Sequence, residues 1–196
     1  MSAPSPEAIA ADRAWVRRSL LQMAVGLVVL LSAVAVFVAL YEEPIRAASQ
    51  RFVEVAGGPG IALGWFLPDV APLPILPDAF TTAGLIGGMG FLEVVLWGTL
   101  GSIAGGSAGY AFGRLLPNTA IYQKVMAGRG ARAGELVERY GAAALAFAAL
   151  SPLPFSLACW AAGALSMPLP RFFAVAALRF VRISSYLYLL QLGFVG

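Results

Sequence analysis

Two apolar stretches of the chain are each broken near their middle by a cluster of prolines, and this feature restricts the fold most. The first break has the sequence PDVAPLPILP at residues 68 to 77, and the second has SPLP at residues 151 to 154. A limb of about twelve helical residues rises about 18 Å, whereas the core of a bilayer is about 30 Å thick. Each limb can therefore reach the middle of a membrane without crossing it. We predict two re-entrant helical hairpins, at residues 56 to 90 and 141 to 168.

The whole chain is apolar enough for a membrane protein. Of its residues, 60% are hydrophobic and 12% are charged, and its mean hydropathy is +0.82. Soluble domains are only about 45 to 50% apolar. Three further runs, at residues 21 to 41, 91 to 117 and 171 to 192, reach the length of about 20 residues that a spanning helix needs. We therefore predict an all-α integral membrane protein with spanning helices in addition to the two hairpins.

The polar segments indicate where the chain meets the membrane surface. Residues 1 to 20 form a tail with three arginines, residues 42 to 55 alternate charged and apolar side chains as interfacial helices do, and residues 118 to 140 form a charged amphipathic linker. Cytoplasmic loops of membrane proteins carry an excess of arginine and lysine. The basic tail and the basic linker are therefore predicted to be cytoplasmic, which places the N-terminus inside.

The two broken stretches share a pattern. PLP, an AG pair and a methionine follow one another at residues 72 to 89 and again at residues 152 to 167, and a predicted spanning helix follows each hairpin. With the N-terminus inside, the first hairpin enters the membrane from outside and the second enters from the cytoplasm. The sequence therefore predicts an inverted repeat, which is typical of secondary transporters whose broken helices meet near the middle of the membrane.

A ladder of glycines at intervals of four residues lies on one face of the predicted helix at residues 91 to 117. The glycines of this ladder are Gly101, Gly105, Gly109 and Gly113. Small residues at this spacing let two helix backbones approach closely. We expect the face to pack against another helix. As an alternative to transport, the protein is a non-transporting scaffold in which the ladder serves to form a homo-oligomer.

The residue types that most enzymes need are missing from the sequence. It contains no histidine, which excludes Ser-His and Cys-His nucleophile pairs and the commonest zinc ligand. The single cysteine, Cys159, lies in an apolar run and is predicted to be a small buried side chain. The basic residues are scattered without interleaved aromatic residues, which disfavours nucleic acid as a partner. We expect no catalytic residue, no metal and no cofactor.

Six charged residues within the apolar part of the chain divide by sign between the two repeats. The first repeat contains Asp69, Asp78 and Glu93, and the second contains Arg171, Arg179 and Arg182. Arg179 and Arg182 are three residues apart, hence on one helix face, where they can hold a phosphate. Asp78 either caps the helix that it opens or, like Asp69, exchanges a proton. We interpret Glu93 and Arg171 as residues of the membrane interfaces.

Three stretches together resemble the DedA family, whose domain is also called the SNARE-associated or VTT domain. They are PLPILPDAFTTAG at residues 72 to 84, GSIAGGSAGYAFGRLLP at 101 to 117, and RYGAAALAFAALSPLPFSLACWAAGALSMPLPRFF at 139 to 173. The middle stretch contains a Y-x-x-G-R motif from Tyr110 to Arg114. The resemblance covers about residues 60 to 196 and makes residues 56 to 196 one membrane domain.

This resemblance implies two re-entrant hairpins that face each other. It also implies the translocation or scrambling of membrane lipids with anionic headgroups, such as polyprenyl phosphates or phospholipids, often described as proton-coupled in bacteria. The location that it implies is the bacterial cytoplasmic, or inner, membrane. By position, Asp69 and Asp78 resemble the acidic residues of the family's first hairpin.

One departure from the family's pattern affects the predicted site. Many members have arginines in an R-x-x-P-x-x-R pattern at the second break, whereas this chain has Ser151, Pro154 and Leu157. We expect Arg179 and Arg182 to supply the missing positive charge from the helix that follows. The predicted headgroup site consists of Ser151, Phe155, Arg179 and Arg182.

Overall fold

The computed structural model describes residues 41 to 73, 75 to 151 and 154 to 194. The chain divides into two compact units, Met1–Ile45 and Arg46–Gly196, and only the last five residues of the first unit fall within the described ranges. The predicted tail at residues 1 to 20 and nearly all of the spanning helix predicted at residues 21 to 41 lie outside them. The second unit contains both hairpins and the long helices that follow them.

All regular structure in the described ranges is helical, and no strand occurs there. In chain order the helices are α1 (Glu42–Val55), α2 (Gly57–Val70), α3 (Asp78–Ile86), α4 (Phe91–Leu115), α5 (Ala120–Val125), α6 (Arg129–Tyr140), α7 (Ala142–Leu150), α8 (Phe155–Ala164), α9 (Leu169–Ala176) and α10 (Leu178–Phe194). The pairs α2 with α3 and α7 with α8 are the two proline-broken stretches. Helices α5 and α6 form the linker between the two repeats.

The first helix of the first hairpin extends further than the sequence predicts. It runs through Pro68 to Val70 and so includes Asp69, which the sequence places in the break. It ends there because Ala71, which precedes Pro72, is extended, with φ −131° and ψ 147°, and a residue before a proline is disfavoured from helical backbone. Asp69 is therefore held by the last turn of a helix and not by a loop.

Three of the four hairpin helices are short, whereas the helix after the first hairpin is long. Helices α3, α7 and α8 have 9, 9 and 10 residues, which corresponds to about 14 or 15 Å. Helix α4 has 25 residues. In the described part of the chain, two stretches are long and apolar enough to cross a membrane, Phe91–Leu115 and Leu169–Leu192.

The second of these stretches is interrupted, whereas the sequence predicts one continuous helix at residues 171 to 192. Helices α9 and α10 are separated by Ala177. The N–H group of Ala177 bonds to the carbonyl oxygens of both Phe173 and Val175, which tightens the last turn of α9. Arg179 consequently lies in the first turn of α10, directly after the interruption.

Each long stretch packs against both hairpins. Helix α4 contacts α2 of the first hairpin and α8 of the second, and α10 contacts α3 of the first and α7 of the second. A buried apolar cluster joins Ile61 and Trp65 of α2 to Val94 of α4 and to Ile183 and Leu187 of α10. A second cluster is centred on α8. The breaks of the two hairpins are thereby held between the two long stretches.

Candidate functional site

A cavity of about 530 Å³ lies between the breaks of the two hairpins. Its walls are formed by the first break, the beginning of α8, the linker between α5 and α6, and the beginning of α10. The charged and polar residues in its walls are Asp69, Asp78, Ser156, Arg179 and Arg182. Phe155 also lines it, so of the six residues predicted for headgroup binding and proton exchange, only Ser151 lies outside the cavity.

Asp69 and Arg179 form an ion pair in the protein interior. Arg179 Nη2 lies 3.0 Å from Asp69 Oδ2, and the two side chains are 3% and 7% exposed. The hydroxyl of Ser102 joins the pair, because it donates to Asp69 Oδ2 over 2.5 Å and accepts from Arg179 Nε over 2.7 Å. These residues come from α2, α4 and α10, so the pair ties the first hairpin to both long stretches.

Two aromatic rings also hold the guanidinium of Arg179. Its central carbon Cζ lies 4.9 Å from the centre of the Trp65 ring and 4.7 Å from the centre of the Phe155 ring, within the range of cation–π attraction. Arg179 is thus engaged by a carboxylate, a hydroxyl and two rings. The sequence predicts Arg179 as an arginine open to a ligand, whereas in the structure a ligand would first have to displace Asp69.

Asp78 and Arg182 form a second ion pair, which is more open. Arg182 Nη2 lies 3.0 Å from Asp78 Oδ2, and the side chains are 19% and 20% exposed. The other carboxylate oxygen, Asp78 Oδ1, is buried and has no hydrogen-bond partner among the described residues. The carboxylate is not a helix cap, because Pro77 occupies the N-cap position of α3 and Asp78 bonds to Arg182 instead. Arg182 is therefore the more exposed of the two arginines in the cavity wall.

Two short helices begin at the wall of the cavity. Helix α3 begins at Asp78, and α8 begins at Phe155, directly after Pro154. The first N–H groups of a helix lack partners within the helix and carry the positive end of its dipole. Ser156 and Leu157, in the first turn of α8, line the cavity beside Phe155. At α3, the N–H groups of Ala79 and Phe80 already donate to the carbonyl oxygens of Leu76 and Pro77, each over 3.1 Å. The helix end that faces the cavity together with Arg182 is therefore that of α8.

Ser151 lies at a helix end of the opposite polarity. It follows the last residue of α7, and its N–H bonds to the carbonyl oxygen of Phe147 over 2.9 Å. The C-terminus of a helix presents carbonyl groups and disfavours an anion. The serine that lines the cavity is Ser156, whose side chain is buried. Of the two serines at the second break, the structure thus places Ser156 and not Ser151 in the wall of the cavity.

The glycine ladder of α4 is covered by the chain's own hairpins. A methyl group added at Gly101 or Gly105 would meet the backbone of α2. One added at Gly109 would contact both α2 and α8, and one added at Gly113 would overlap the backbone of Trp160 in α8. The indole N–H of Trp160 in turn donates to the carbonyl oxygen at the end of α2, over 2.7 Å. The ladder thus joins the two hairpins to each other within one chain.

The Y-x-x-G-R motif holds the far end of the second hairpin. The Tyr110 hydroxyl donates to the carbonyl oxygen of Met167 over 2.5 Å, and Arg114 Nη1 donates to the Tyr110 oxygen over 3.0 Å. Tyr110 also packs on Phe172, with 4.7 Å between ring centres. Neither motif residue lines the cavity, so the motif positions α8 and does not contact the ligand space.

Two residues beside the charged pairs are not predicted from the sequence. Ser102 follows the first glycine of the ladder, and a hydroxyl next to a close-packed helix face is the signal that could have identified it. Trp65 is fully buried and contacts the guanidinium groups of Arg179 and Arg182, yet its indole N–H has no partner in the described part of the chain. Its position within an apolar limb gives no such signal.

The remaining residues singled out by the sequence lie away from the cavity. Glu93 is exposed in the first turn of α4. Arg171 is exposed near the beginning of the stretch Leu169–Leu192. Cys159 is fully buried in α8. Among the described residues, no group of three or more acidic or cysteine side chains is arranged to hold a metal ion.

These features define an all-helical protein in which two broken helix pairs meet at a charged cavity between two apolar stretches of membrane-spanning length. The model of the VTT domain matches residues 73–192, more than half of the chain. The protein therefore belongs to the DedA or SNARE-associated family, a family of membrane-associated proteins. The searches among curated proteins and among solved structures found no match.

Proposed function

We propose that this protein carries phosphate-bearing lipids across a membrane, with the headgroup bound in the cavity between the two breaks. The observation that carries the proposal is the half-buried Arg182 in the wall of a cavity that the first turn of α8 also lines. Arginine and helix N-termini are the groups that bind phosphate most readily in proteins. Polyprenyl phosphates and phospholipids both present this headgroup.

The binding step that we propose is an exchange of partners at Arg182. In the structure this arginine makes one ion pair, of 3.0 Å, with the carboxylate of Asp78, and its guanidinium carbon lies 5.5 Å from the centre of the Trp65 ring. A phosphate offers three acceptor oxygens and can replace that contact by a bidentate one. Asp78 would then lose the ion pair that it makes in the structure. We assign proton exchange to Asp78 rather than Asp69, because the pair of Asp78 is the more exposed of the two.

In this proposal, the buried pair of Asp69 and Arg179 does not change while Arg182 exchanges its partner. Asp69 and Arg179 are almost fully enclosed and satisfy each other together with Ser102. Breaking such a pair leaves an uncompensated charge and costs about 3 to 5 kcal/mol. We infer that it stays closed while the outer pair exchanges partners, and that it holds α10 so that Arg182 faces the cavity.

The arrangement in the membrane follows the same proposal. We place α4 and the stretch Leu169–Leu192 across the bilayer, because both are long and apolar enough, and the two hairpins within it as re-entrant elements. The reciprocal packing of each long stretch against both hairpins supports an inverted repeat. The N-terminus is cytoplasmic and the membrane is the bacterial inner membrane in this proposal.

Lipid movement in sealed vesicles tests the function. Purified protein is reconstituted with a trace of phospholipid that carries a fluorophore on its acyl chain, and an impermeant reductant bleaches the outer leaflet. We expect vesicles with protein to lose fluorescence beyond the outer-leaflet fraction, and protein-free vesicles to keep it. A glycolipid with the same fluorophore and no phosphate serves as the matched control and is expected to stay protected. A labelled polyprenyl phosphate provides the second substrate arm.

The scaffold alternative predicts equal bleaching with and without protein for every lipid. It also needs a surface for self-association other than the glycine ladder, because α2 and α8 cover that face within the chain. An equal loss of fluorescence in all vesicles, with protein present in them at the expected amount and helix content, would therefore favour the scaffold.

A further inference from the structure

A second cavity adjoins the first and differs from it in chemistry. It is a groove of about 580 Å³ between α6, α7 and the beginning of α8. Apart from Arg132, its walls in the described part of the chain are apolar or aromatic, and they include Leu136, Tyr140, Ala143 and Phe147. Leu136, Tyr140 and Phe147 are 45%, 53% and 64% exposed, so the groove is open to its surroundings.

The groove follows from the helical period of two consecutive helices. Its residues on α6 recur at positions 132, 133, 136, 137 and 140, and those on α7 at 143, 144, 147 and 148. Such spacings place each set on one helix face. Gly141, between the helices, has a φ of +56°, which a glycine adopts without strain. The turn at this glycine brings the two apolar faces to opposite sides of one groove.

We propose that this groove holds a hydrocarbon chain of the same lipid whose phosphate occupies the charged cavity. The inference rests on the proposed function and adds to it that the substrate is held by its chain as well as by its headgroup. The ligand class is therefore an amphiphile with a phosphate directly attached to a long apolar chain or to a short linker, in contrast to a free phosphate or a soluble phosphate ester.

Continuity between the two cavities carries the proposal. Pro154 and Leu157 line both of them. Phe155 and Ser156 line the charged cavity together with Arg182, whereas Ala158 lines the groove alone. An elongated molecule that crosses this shared wall would have its anionic end at Arg182 and its apolar end between α6 and α7.

The groove is expected to orient the lipid and to add little affinity. A lipid chain that enters it leaves a bilayer that is equally apolar, so no hydrophobic driving force accompanies the transfer. What the groove supplies is a fixed direction for the chain, which positions the phosphate beside Arg182. Blocking the groove should therefore lower the rate of translocation more than it lowers the retention of lipid by the protein.

Photocrosslinking tests the inference. A phosphatidate with a diazirine in the middle of one acyl chain is added to the protein in maltoside micelles, whose own amphiphile lacks phosphate, and adducts are mapped by mass spectrometry. We expect adducts on the α7 face of the groove, and a severalfold lower yield there in Arg182→Gln. Adducts at the exposed Ala174 of α9, which lines neither cavity, should keep their yield and so provide the internal control.

Two results would overturn the inference. Groove adducts that are equally abundant in Arg182→Gln would mean that an unrelated surface lipid occupies the groove. No groove adducts in the wild-type protein would mean that another segment of this chain or a second copy fills it.

A pair of matched variants keeps the inference testable if Arg182→Gln does not fold. Ala143→Phe fills the groove, and Ala174→Phe adds the same bulk to an exposed alanine elsewhere. We expect the first to slow lipid translocation in sealed vesicles severalfold and the second to leave it unchanged. Equal rates in both variants would contradict the groove inference alone. A wild-type protein that moves no lipid, yet gives groove adducts that depend on Arg182, would contradict the proposed function alone.

Discussion

Arg179 and Arg182 lie three residues apart on α10, yet their surroundings differ. Arg179 is 3% exposed and is held by Asp69, Ser102 and two rings, whereas the Arg182 side chain is 19% exposed and has one carboxylate contact. Burial makes an ion pair costly to open, so the Asp69–Arg179 pair should cost more to open than the Asp78–Arg182 pair, whose side chains are about a fifth exposed. The first pair is therefore suited to stability, and the second is the one that we propose exchanges its partner for a ligand.

Replacing Asp69 or Asp78 by asparagine should consequently change the stability of the protein to a different extent. Asp69→Asn leaves a buried guanidinium without its counter-charge and is expected to lower the free energy of unfolding by about 3 kcal/mol or more. Asp78→Asn is expected to change it by less than about 1 kcal/mol. Denaturant titration of helix content in detergent micelles measures both. Equal destabilisation by the two variants would contradict the assignment of separate roles.

Ser102 is predicted to matter because its hydroxyl bridges the buried pair. Ser102→Ala leaves Arg179 Nε without its acceptor and should cost about 1 to 3 kcal/mol of stability. Ser107 on the same helix is the matched control, since its hydroxyl donates only to the Ile103 carbonyl one turn earlier, over 2.6 Å, a bond that contributes little to a helix. Ser107→Ala should therefore have an effect within about 0.5 kcal/mol. The same unfolding titration compares the two, and a larger loss in Ser107→Ala would contradict the prediction.

At the scale of elements, the glycine ladder of α4 forms the helix face against which both hairpins pack. Gly101 and Gly105 pack against α2, and Gly113 packs against α8. One helix face therefore determines the distance between the two breaks. The volume of the cavity between the breaks depends on that distance. The ladder thus connects a spacing in the sequence to the geometry of the site.

Gly113→Ala and Gly134→Ala should change stability in opposite directions. A methyl group at Gly113 overlaps the backbone of Trp160, so we expect a loss of about 2 kcal/mol or more. At Gly134 in α6 the nearest atom is Met126 Cε at 3.5 Å, an ordinary contact, and replacing a helical glycine should add about 0.5 to 1 kcal/mol. Thermal unfolding in micelles measures both. No destabilisation by Gly113→Ala would show that the ladder does not pack as described, and destabilisation by Gly134→Ala would show that α6 has no room for a methyl group at that position.

The sequence predicts these elements better than it predicts their ends. Proline clusters and the length of the apolar limbs are local signals, and they identify both breaks. Helix α2 continues through Pro68 and ends at Val70, because Ala71, which precedes Pro72, has an extended backbone. The position of Pro68 in the sequence suggests an earlier end. The interruption at Ala177 has no proline or glycine to signal it, and it follows from a local hydrogen-bond pattern.

The site shows the same limit. Charges in an apolar chain are conspicuous, so the four cavity residues Asp69, Asp78, Arg179 and Arg182 can be identified from the sequence alone. Which aspartate pairs with which arginine depends on contacts more than one hundred residues apart in the chain. Ser102 and Trp65 become part of the site only through this packing. The sequence therefore identifies the four charged residues of the cavity, but neither their pairing nor the contacts of Ser102 and Trp65 with them.

On the scale of the whole molecule, the cavity combines parts that the sequence assigns to separate places. The breaks of the two hairpins form two of its walls, and α10 supplies both arginines. The linker, which the sequence predicts as a segment of the membrane surface, forms another wall through Val125, Ala127 and Gly130. If the linker is cytoplasmic, as we propose, the cavity of this conformation lies next to the cytoplasm.

The central claim is that the headgroup of a phosphate-bearing lipid crosses the membrane through Arg182. The most direct measurement is the initial rate of translocation of a labelled phospholipid in sealed vesicles for Arg182→Gln and for Arg171→Gln, an identical change at an exposed arginine outside the cavity. Losing a charge-assisted bond of about 1.5 to 3 kcal/mol predicts that Arg182→Gln slows translocation about tenfold or more. The Arg171→Gln protein should remain near the wild-type rate. Equal rates for the two folded variants would contradict the claim.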